Sequence, residues 1–200
     1  MADHIDDFFA QYPSFNYDRA NSSPREFYRM CDQFQWKKRP DNACPPVRKE
    51  AWEKFRVAMV VEFNSRFGTD AEDVFSWKGI CEFLQMNPMP SGVESMRKVG
   101  LGPMYVLDRT DIHKAVINTH INLTDMLDSK RRGEAISTFK TQDELVGYTI
   151  HEGRYFPKED AYAGGLLKYL LREIHNKYEG SRGKRGRLQG KTRGRYAKGG

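Results

Sequence analysis

The stretch PPVRKEAWEKFRVAMVVEFNSRF, residues 45–67, decides the fold of this chain. Its large apolar residues recur every three or four positions, which is the spacing of one face of an α-helix. They are Trp52, Phe55, Met59 and Phe63. Prolines at the start of the stretch and a glycine directly after it suit the two ends of a helix. A helix with so broad an apolar face needs other helices to cover it, so the sequence predicts an all-α fold organised around this one.

Further helix starts carry the capping-box pattern, in which a Ser or Thr is followed three residues later by Glu. The pattern occurs at Ser23–Glu26, Thr69–Glu72, Ser91–Glu94 and Thr141–Glu144. A last helix is predicted from Pro157 to about Tyr178, because acidic residues lie in its first turn and a lysine in its last. Together these elements predict a single multi-helix domain over residues 1–179, with about six to eight helices.

Two segments have predicted packing roles. Five aromatic residues occur between Phe8 and Tyr17, and no basic residue precedes Arg19. They are therefore interpreted as a hydrophobic strap over the helices rather than a platform on which nucleic-acid bases stack. Gly164 and Gly165 fall inside the predicted last helix, where each glycine costs stability relative to alanine. Close packing against another helix or the strap is the favoured explanation, and approach of a ligand to the backbone is the alternative.

Residues 99–115 form an insertion in the predicted pattern. Glycines and a proline break any helix there. The apolar residues on either side fall on one helical stripe only when the 16 residues 99–114 are left out. The segment is therefore predicted either to loop out or to separate two helices that pack independently. Its codons allow a retained in-frame intron as its origin, with an ordinary surface insertion as the alternative.

Charge is distributed unevenly along the chain. The formal net charge is +6, but residues 182–200 contain eight basic residues and no acidic one, a net +8. The remaining 25 basic and 27 acidic residues give −2 for residues 1–181. The sequence predicts an intracellular protein, nuclear or cytoplasmic, for three reasons. Its three cysteines are widely spaced and form no CxxC pair. Its start is acidic without an apolar signal core, and no apolar run is long enough to span a membrane.

The sequence contains no motif that predicts catalysis, a metal site or a cofactor. The five histidines are scattered. His113 and His120 are seven residues apart and could share a helix face, but neither belongs to an i, i+4 pair of the kind that binds zinc. His151 and Glu152 could serve as an acid–base pair, although adjacent helical residues point in different directions. Cys31 and Cys81 lie on apolar stripes and Cys44 lies beside prolines, and core packing is favoured over nucleophilic chemistry for all three. The prediction is a protein that is not an enzyme and has no cofactor.

Arginine and glycine alternate in residues 180–200, which are predicted to be disordered because like charges oppose compaction. Arginine forms bidentate contacts with phosphate and stacks on bases, and a tyrosine adds a stacking surface. The candidate nucleic-acid-binding residues are Arg182, Lys184, Arg185, Arg187, Lys191, Arg193, Arg195, Tyr196 and Lys198. The first hypothesis is an accessory protein whose tail binds RNA or DNA without sequence preference. The second is a helical protein-interaction module whose tail serves only for nuclear localisation or solubility.

Several phrases of the sequence resemble a family of small fungal proteins. They are FFAQYPSFNYD, EFYRMCDQFQW, EFNSRFGTD, Trp77-x-x-x-Cys81, NTHINLTDML and FPKEDAYAGGLLKYLLREI. In that family the same phrases recur in this order, so the resemblance covers residues 8–176 apart from 100–115. It implies a fungal source and an all-helical fold, and it supplies no activity or catalytic residue. Members of the family usually run directly from the equivalent of Lys98 to that of Val116, which supports reading the intervening segment as an insertion.

Overall fold

The computed structural model describes residues 3–37, 43–88, 109–157 and 162–172, with the backbone alone for 109–111. Within these ranges the regular structure is entirely α-helical, and the predicted all-α fold is confirmed. The helices are α1 (His4–Ala10), α2 (Ser23–Gln33), α3 (Pro46–Phe67), α4 (Val74–Phe83), α5 (Arg109–Asn118), α6 (Leu123–Arg132), α7 (Gln142–Glu152) and α8 (165–172). None of the helices in the described ranges is long and apolar enough to cross a membrane.

Helix α3 is the centre of the hydrophobic core, as the sequence predicts. The side chains of Phe55, Met59 and Phe63 are fully buried, while Trp52 is half-buried at the edge of the core. Helices α1, α4 and α6 pack against α3. The helix ends at Gly68, whose φ of 94° is available to glycine at little cost. A side chain there would also collide with the Ser76 hydroxyl, so glycine is required for the turn into α4.

The aromatic residues from Phe8, in α1, to Tyr17, after it, close one side of the core. The ring of Phe9 stacks on that of Tyr17 at 4.2 Å, and Phe8 lies 5.3 Å from Phe55. Phe27 of α2 stacks on Phe55 at 5.0 Å and also lies 6.2 Å from Phe8. Because its rings are packed against other side chains, this segment acts as the predicted hydrophobic strap.

The capping-box predictions have mixed outcomes. The Thr141 side chain caps α7 by accepting a hydrogen bond from the Glu144 N–H. The Glu144 carboxylate accepts from the N–H of Lys140, whereas in the standard box it accepts from the N–H of the capping residue itself. The Thr69–Glu72 prediction is wrong, because Asp73 caps α4 by accepting from the N–H groups of Phe75 and Ser76.

The Ser23–Glu26 box is also wrong. Helix α2 begins at Ser23 after Ser22, and Ser22 makes no side-chain capping hydrogen bond. Ser23 instead binds Asp128 on α6, and Glu26 is buried beside Arg29. Ser91–Glu94 lies outside the described residues.

The glycine pair lies at the start of α8 rather than inside a longer helix. Tyr162 is in a turn, and regular helix begins at residue 165, so the predicted helix start at Pro157 is wrong. A Cβ on Gly164 would come within 2.8 Å of the Thr69 Cα. The Leu166 N–H donates to the Thr69 carbonyl oxygen at 3.0 Å. Close packing therefore explains Gly164, and its partner is the turn between α3 and α4.

The described part of the predicted insertion differs from a simple surface loop. Residues 109–115 are the first part of α5, and Ile112 is buried in the core. Helix α5 packs against α4. Residues 99–108 lie outside the described residues. Residues 109–115 therefore agree with the alternative in which the segment separates two helices that pack independently. Ile112 lies in the core, so this part of the segment has apolar contacts of its own.

Candidate functional site

The candidate nucleic-acid-binding residues, from Arg182 to Lys198, lie outside the described residues. The same is true of the predicted disordered tail, residues 180–200, and of the boundary at residue 179. The described helical domain contains three other kinds of candidate: the histidines and cysteines, the buried charges, and the surface grooves.

The histidines do not form a shared site. The His113 ring lies 4.1 Å from the ring of Trp77 and 4.8 Å from that of Tyr169, between α4 and α8. His120 follows α5 with a φ of 48°, so the two histidines do not share a helix face. His151 and Glu152 do meet, with Nδ1 2.9 Å from Oε1, although the sequence placed them in different directions. In the described ranges, no cluster of His, Cys, Asp or Glu is suited to a metal ion.

Two of the cysteines belong to the hydrophobic core. Cys31 and Cys81 are buried, and burial raises the pKa of each thiol to about 11. A thiol with so high a pKa is protonated at neutral pH and is a poor nucleophile. Core packing, the favoured sequence interpretation, is confirmed for these two residues. For Cys44 the interpretation is wrong, because this residue is exposed in the chain before α3.

A buried ionic cluster around Arg131 joins the N-terminus to α2 and α6. Arg131 Nε donates to both oxygens of Asp3 at 3.0 Å. The two terminal nitrogens donate to Ser23, Asp128, Asp6 and Tyr17. The Arg131 and Asp128 side chains are each 1% exposed, so the centre of this network is shielded from water, while Asp6 at its edge is 32% exposed. We call these residues the Arg131 cluster.

The electrostatics of this cluster follow from burial and pairing. Burial raises the pKa of Asp3, but hydrogen bonds from Arg131 and from the Asp6 N–H outweigh that effect and lower it overall. For Asp128 burial is the stronger influence and raises the pKa despite two hydrogen bonds from Ser23. Asp3 also pairs with Arg66, which binds the fully buried Glu62. The cluster holds the N-terminal segment, α2 and α6 together through contacts among its own side chains, so we interpret it as a structural site.

A smaller polar group ties α6 to the segment after α7. Arg154 binds Asp125, and its guanidinium lies over the Tyr148 ring at 5.5 Å. Burial and a hydrogen bond with Asp125 raise the pKa of Tyr148 to about 12. The Asn122 side chain caps α6 and donates to the Arg154 carbonyl oxygen at 3.0 Å. These contacts also fix the fold.

The described surface contains an open groove of about 300 Å³ between the end of α3, the first half of α4 and the last turn of α6. Its walls are formed by Arg66, Phe67, Gly68, Asp73, Phe75, Ser76, Gly79 and Lys130. A second cavity, between α5, α7 and α8, has a volume of only about 20 Å³, space for about one water molecule. We call the larger feature the α4 groove, and it is the candidate binding site of the helical domain.

Sequence reasoning missed both the Arg131 cluster and the α4 groove. Asp128 and Arg131 are three residues apart on a helix, a spacing that also describes ordinary solvent-exposed pairs. Phe75 offered a usable signal, because it lies off the apolar stripe that contains Val74, Trp77 and Cys81. A large aromatic residue on the polar side of an amphipathic helix is a candidate for partner contact.

Comparison of the chain with protein-family models, with curated proteins and with solved structures gives no match. The class of protein is therefore defined by its own architecture, an all-α domain with an internal ionic cluster and an open groove. The resemblance to a fungal family stays a prediction.

Proposed function

We propose that this chain is a non-enzymatic accessory protein whose Arg/Gly tail, residues 180–200, binds RNA or single-stranded DNA without sequence preference. The observation that carries the proposal is the charge separation between a tail of +8 and a remainder of −2. Arginines within a flexible glycine-rich segment can follow an irregular phosphate backbone and stack on its bases. Nucleic-acid affinity therefore resides in the tail.

The ion pairs of the helical domain support this division. Seven arginines of the described ranges are bound to carboxylates. Where the acid is buried, as Glu62 is beside Arg66, the arginine cannot pair with a phosphate without breaking that contact. The paired arginines are Arg19, Arg29, Arg56, Arg66, Arg131, Arg132 and Arg154. In the described ranges these guanidinium groups are already engaged, so the tail is the stronger competitor for a polyanion.

The test compares two full-length variants that lose the same charge. The tail variant replaces Arg182, Lys184, Arg185 and Arg187 with Gln. The control variant replaces Lys49, Lys114, Lys140 and Lys168, which are exposed on the helical domain, with Gln. Binding to a fluorescent oligouridylate is measured over a range of salt concentrations.

The tail variant should bind more weakly at low salt, and the slope of log K against log salt should become shallower by about 3, because each lost phosphate contact contributes about 0.7. The control variant should keep nearly the wild-type slope. Equal losses in both variants would show that net charge alone governs binding. Absence of binding by wild type at low salt would reject the proposal and favour the helical interaction module with a localisation tail.

A further inference from the structure

Phe75 is 72% exposed, the most exposed of the large hydrophobic residues in the described part of the chain. It stands in the wall of the α4 groove beside Phe67, which belongs to the core. The apolar surface of the core thus continues outward through the groove to a solvent-facing aromatic ring. An exposed aromatic at the edge of a groove that combines apolar and charged residues is typical of a protein-binding site.

Gly79 lines the groove and faces open space. It lies inside α4, where glycine costs roughly 0.5–1 kcal/mol relative to alanine, and an added Cβ would meet no atom within 4 Å. Gly68, in the same groove, is explained by its positive φ and by the Ser76 hydroxyl beside it. Neither reason applies to Gly79, which leaves this part of the groove wall without a side chain.

The charges in the groove are arranged along α4. At the start of the helix, the Asp73 carboxylate is occupied by the cap hydrogen bonds. Near the other end, Lys130 Nζ lies 5.0 Å from the centre of the Phe83 ring and 5.9 Å from that of Phe67. Arg66 is already paired with Glu62 and Asp3. The charge left to recruit a partner is therefore the ammonium group of Lys130.

We propose that the α4 groove binds a short segment of another protein that carries a bulky apolar side chain and a nearby carboxylate. The apolar side chain packs between Phe75 and Phe67 over Gly79, and the carboxylate pairs with Lys130. A groove of about 300 Å³ lies at the small end of the range for binding pockets, which suits one anchoring side chain. This inference is independent of the tail and holds whether or not residues 180–200 bind nucleic acid.

A nucleic acid fits the groove less well than a protein segment. Asp73 is part of the wall, and the turn before it exposes Asp70 and Glu72, which repel a phosphate backbone. A partner segment with a single carboxylate at the Lys130 end avoids these acids. The polarity of the surface therefore favours a peptide with one local negative charge over a polyanion.

In the first experiment, peptides from a displayed random library are selected for binding to the full-length protein. The proposal expects enriched peptides to share an aromatic or large aliphatic residue and an acidic residue. The consensus peptide is then synthesised with its acid as Glu and, separately, as Gln. Fluorescence titration gives the affinity of both peptides for each protein variant.

Four variants separate docking from folding. Phe75→Ala should weaken binding at least about tenfold while leaving the melting temperature nearly unchanged, because this side chain is largely exposed. Gly79→Ala and Gly147→Ala both replace a glycine inside a helix where an added Cβ meets nothing within 4 Å. Both should stabilise the fold, but only Gly79→Ala should weaken binding. Lys130→Gln should weaken binding of the peptide that carries Glu and leave the affinity for the peptide that carries Gln unchanged.

Several results would overturn the proposal. They include failure to enrich any peptide, enrichment of basic peptides, and selected peptides that bind Phe75→Ala as well as wild type. An oligothymidylate that shifts the backbone amide resonances of Phe75 and Gly79 more than the peptide does would assign the groove to nucleic acid. Self-association that Phe75→Ala abolishes would assign it to a second copy of this chain.

Discussion

Arg131 shows how single residues hold distant parts of this chain together. Each nitrogen of its buried guanidinium has an oxygen partner, drawn from the N-terminal segment, α2 and α6. A buried charge is tolerated only when its partners remain in place, so the cation and its carboxylates stabilise the fold as a set.

Replacement of Arg131 by alanine should therefore lower the free energy of unfolding by about 3–5 kcal/mol, because Asp3 and Asp128 would be left without their cation. Urea denaturation measures the change. Arg132→Ala is the matched control, since that neighbour pairs with Glu134, which is 57% exposed, and should cost less than about 1 kcal/mol. Equal effects of the two substitutions would show that the Arg131 cluster does not stabilise the fold.

Asp3 and Glu26 should make stability depend on acid pH. Burial raises the pKa of each, but hydrogen bonds from Arg131 and Arg29 outweigh it, so both values lie below the ordinary 3.8 and 4.5. As the pH falls, these carboxylates are therefore protonated in the unfolded chain before they are protonated in the folded chain. The stability that these carboxylates contribute is complete above their ordinary pKa values and disappears as the pH falls through the lowered ones.

The free energy of unfolding should accordingly decrease below about pH 4, and Glu26→Gln should make that decrease shallower. Asp128 has the opposite sign, because its pKa is raised by burial and its protonation favours the folded state. Denaturation of each variant across the acid range is the measurement. The exposed substitution Glu82→Gln serves as control, and a Glu26→Gln curve parallel to wild type would contradict the assignment.

Helix α3 determines how the other elements pack. Its Phe55 ring contacts Phe8, Phe9 and Phe27, so one side chain joins α1, α2 and α3. Because the site is fully buried among large rings, neighbouring side chains cannot easily fill the space that a smaller residue would leave.

Phe55→Ala should therefore cost about 3–5 kcal/mol, and Met59→Ala, one turn later, about 2–5 kcal/mol. Val47→Ala on the same helix should change stability by less than about 0.5 kcal/mol, because Val47 is 48% exposed. Chemical denaturation monitored by tryptophan fluorescence would measure all three. Near-neutral stability of Phe55→Ala would place the centre of the core elsewhere.

At the scale of the whole molecule, the N-terminal segment is part of the core. Helix α1 contributes Ile5, Phe8 and Phe9, which are at most 2% exposed, and Asp3 precedes it in the Arg131 cluster. A short terminal helix is thus fixed by both apolar and ionic contacts.

Deletion of residues 1–10 should abolish cooperative thermal unfolding, because it opens the core and leaves Arg131 without two of its carboxylates. Calorimetry of the truncated and full-length chains makes the comparison. The tail variant with four glutamines is the control and should melt as wild type does. A truncated chain with an unchanged transition would show that α1 is dispensable.

Much of the architecture could be predicted from the sequence because it depends on local physics. The 3.6-residue periodicity of α3, its glycine end, the aromatic strap and the Thr141 cap are encoded by neighbouring residues. The same local rules misplaced the Ser23 cap and the start of the last helix, where a distant partner took the decisive contact. Asp128 binds Ser23, and Thr69 fixes the glycine pair.

From the sequence by itself come the helical class, the central position of α3 and the charge asymmetry between tail and domain. These follow from periodicity and composition, which need no knowledge of the partner residues. Only the tertiary structure decided that Arg131 is enclosed by acids from positions far away in the chain, and that Phe75 and Gly79 form an open groove with Lys130. Burial and charge pairing are set by which helices meet, so their physical cause lies in long-range packing.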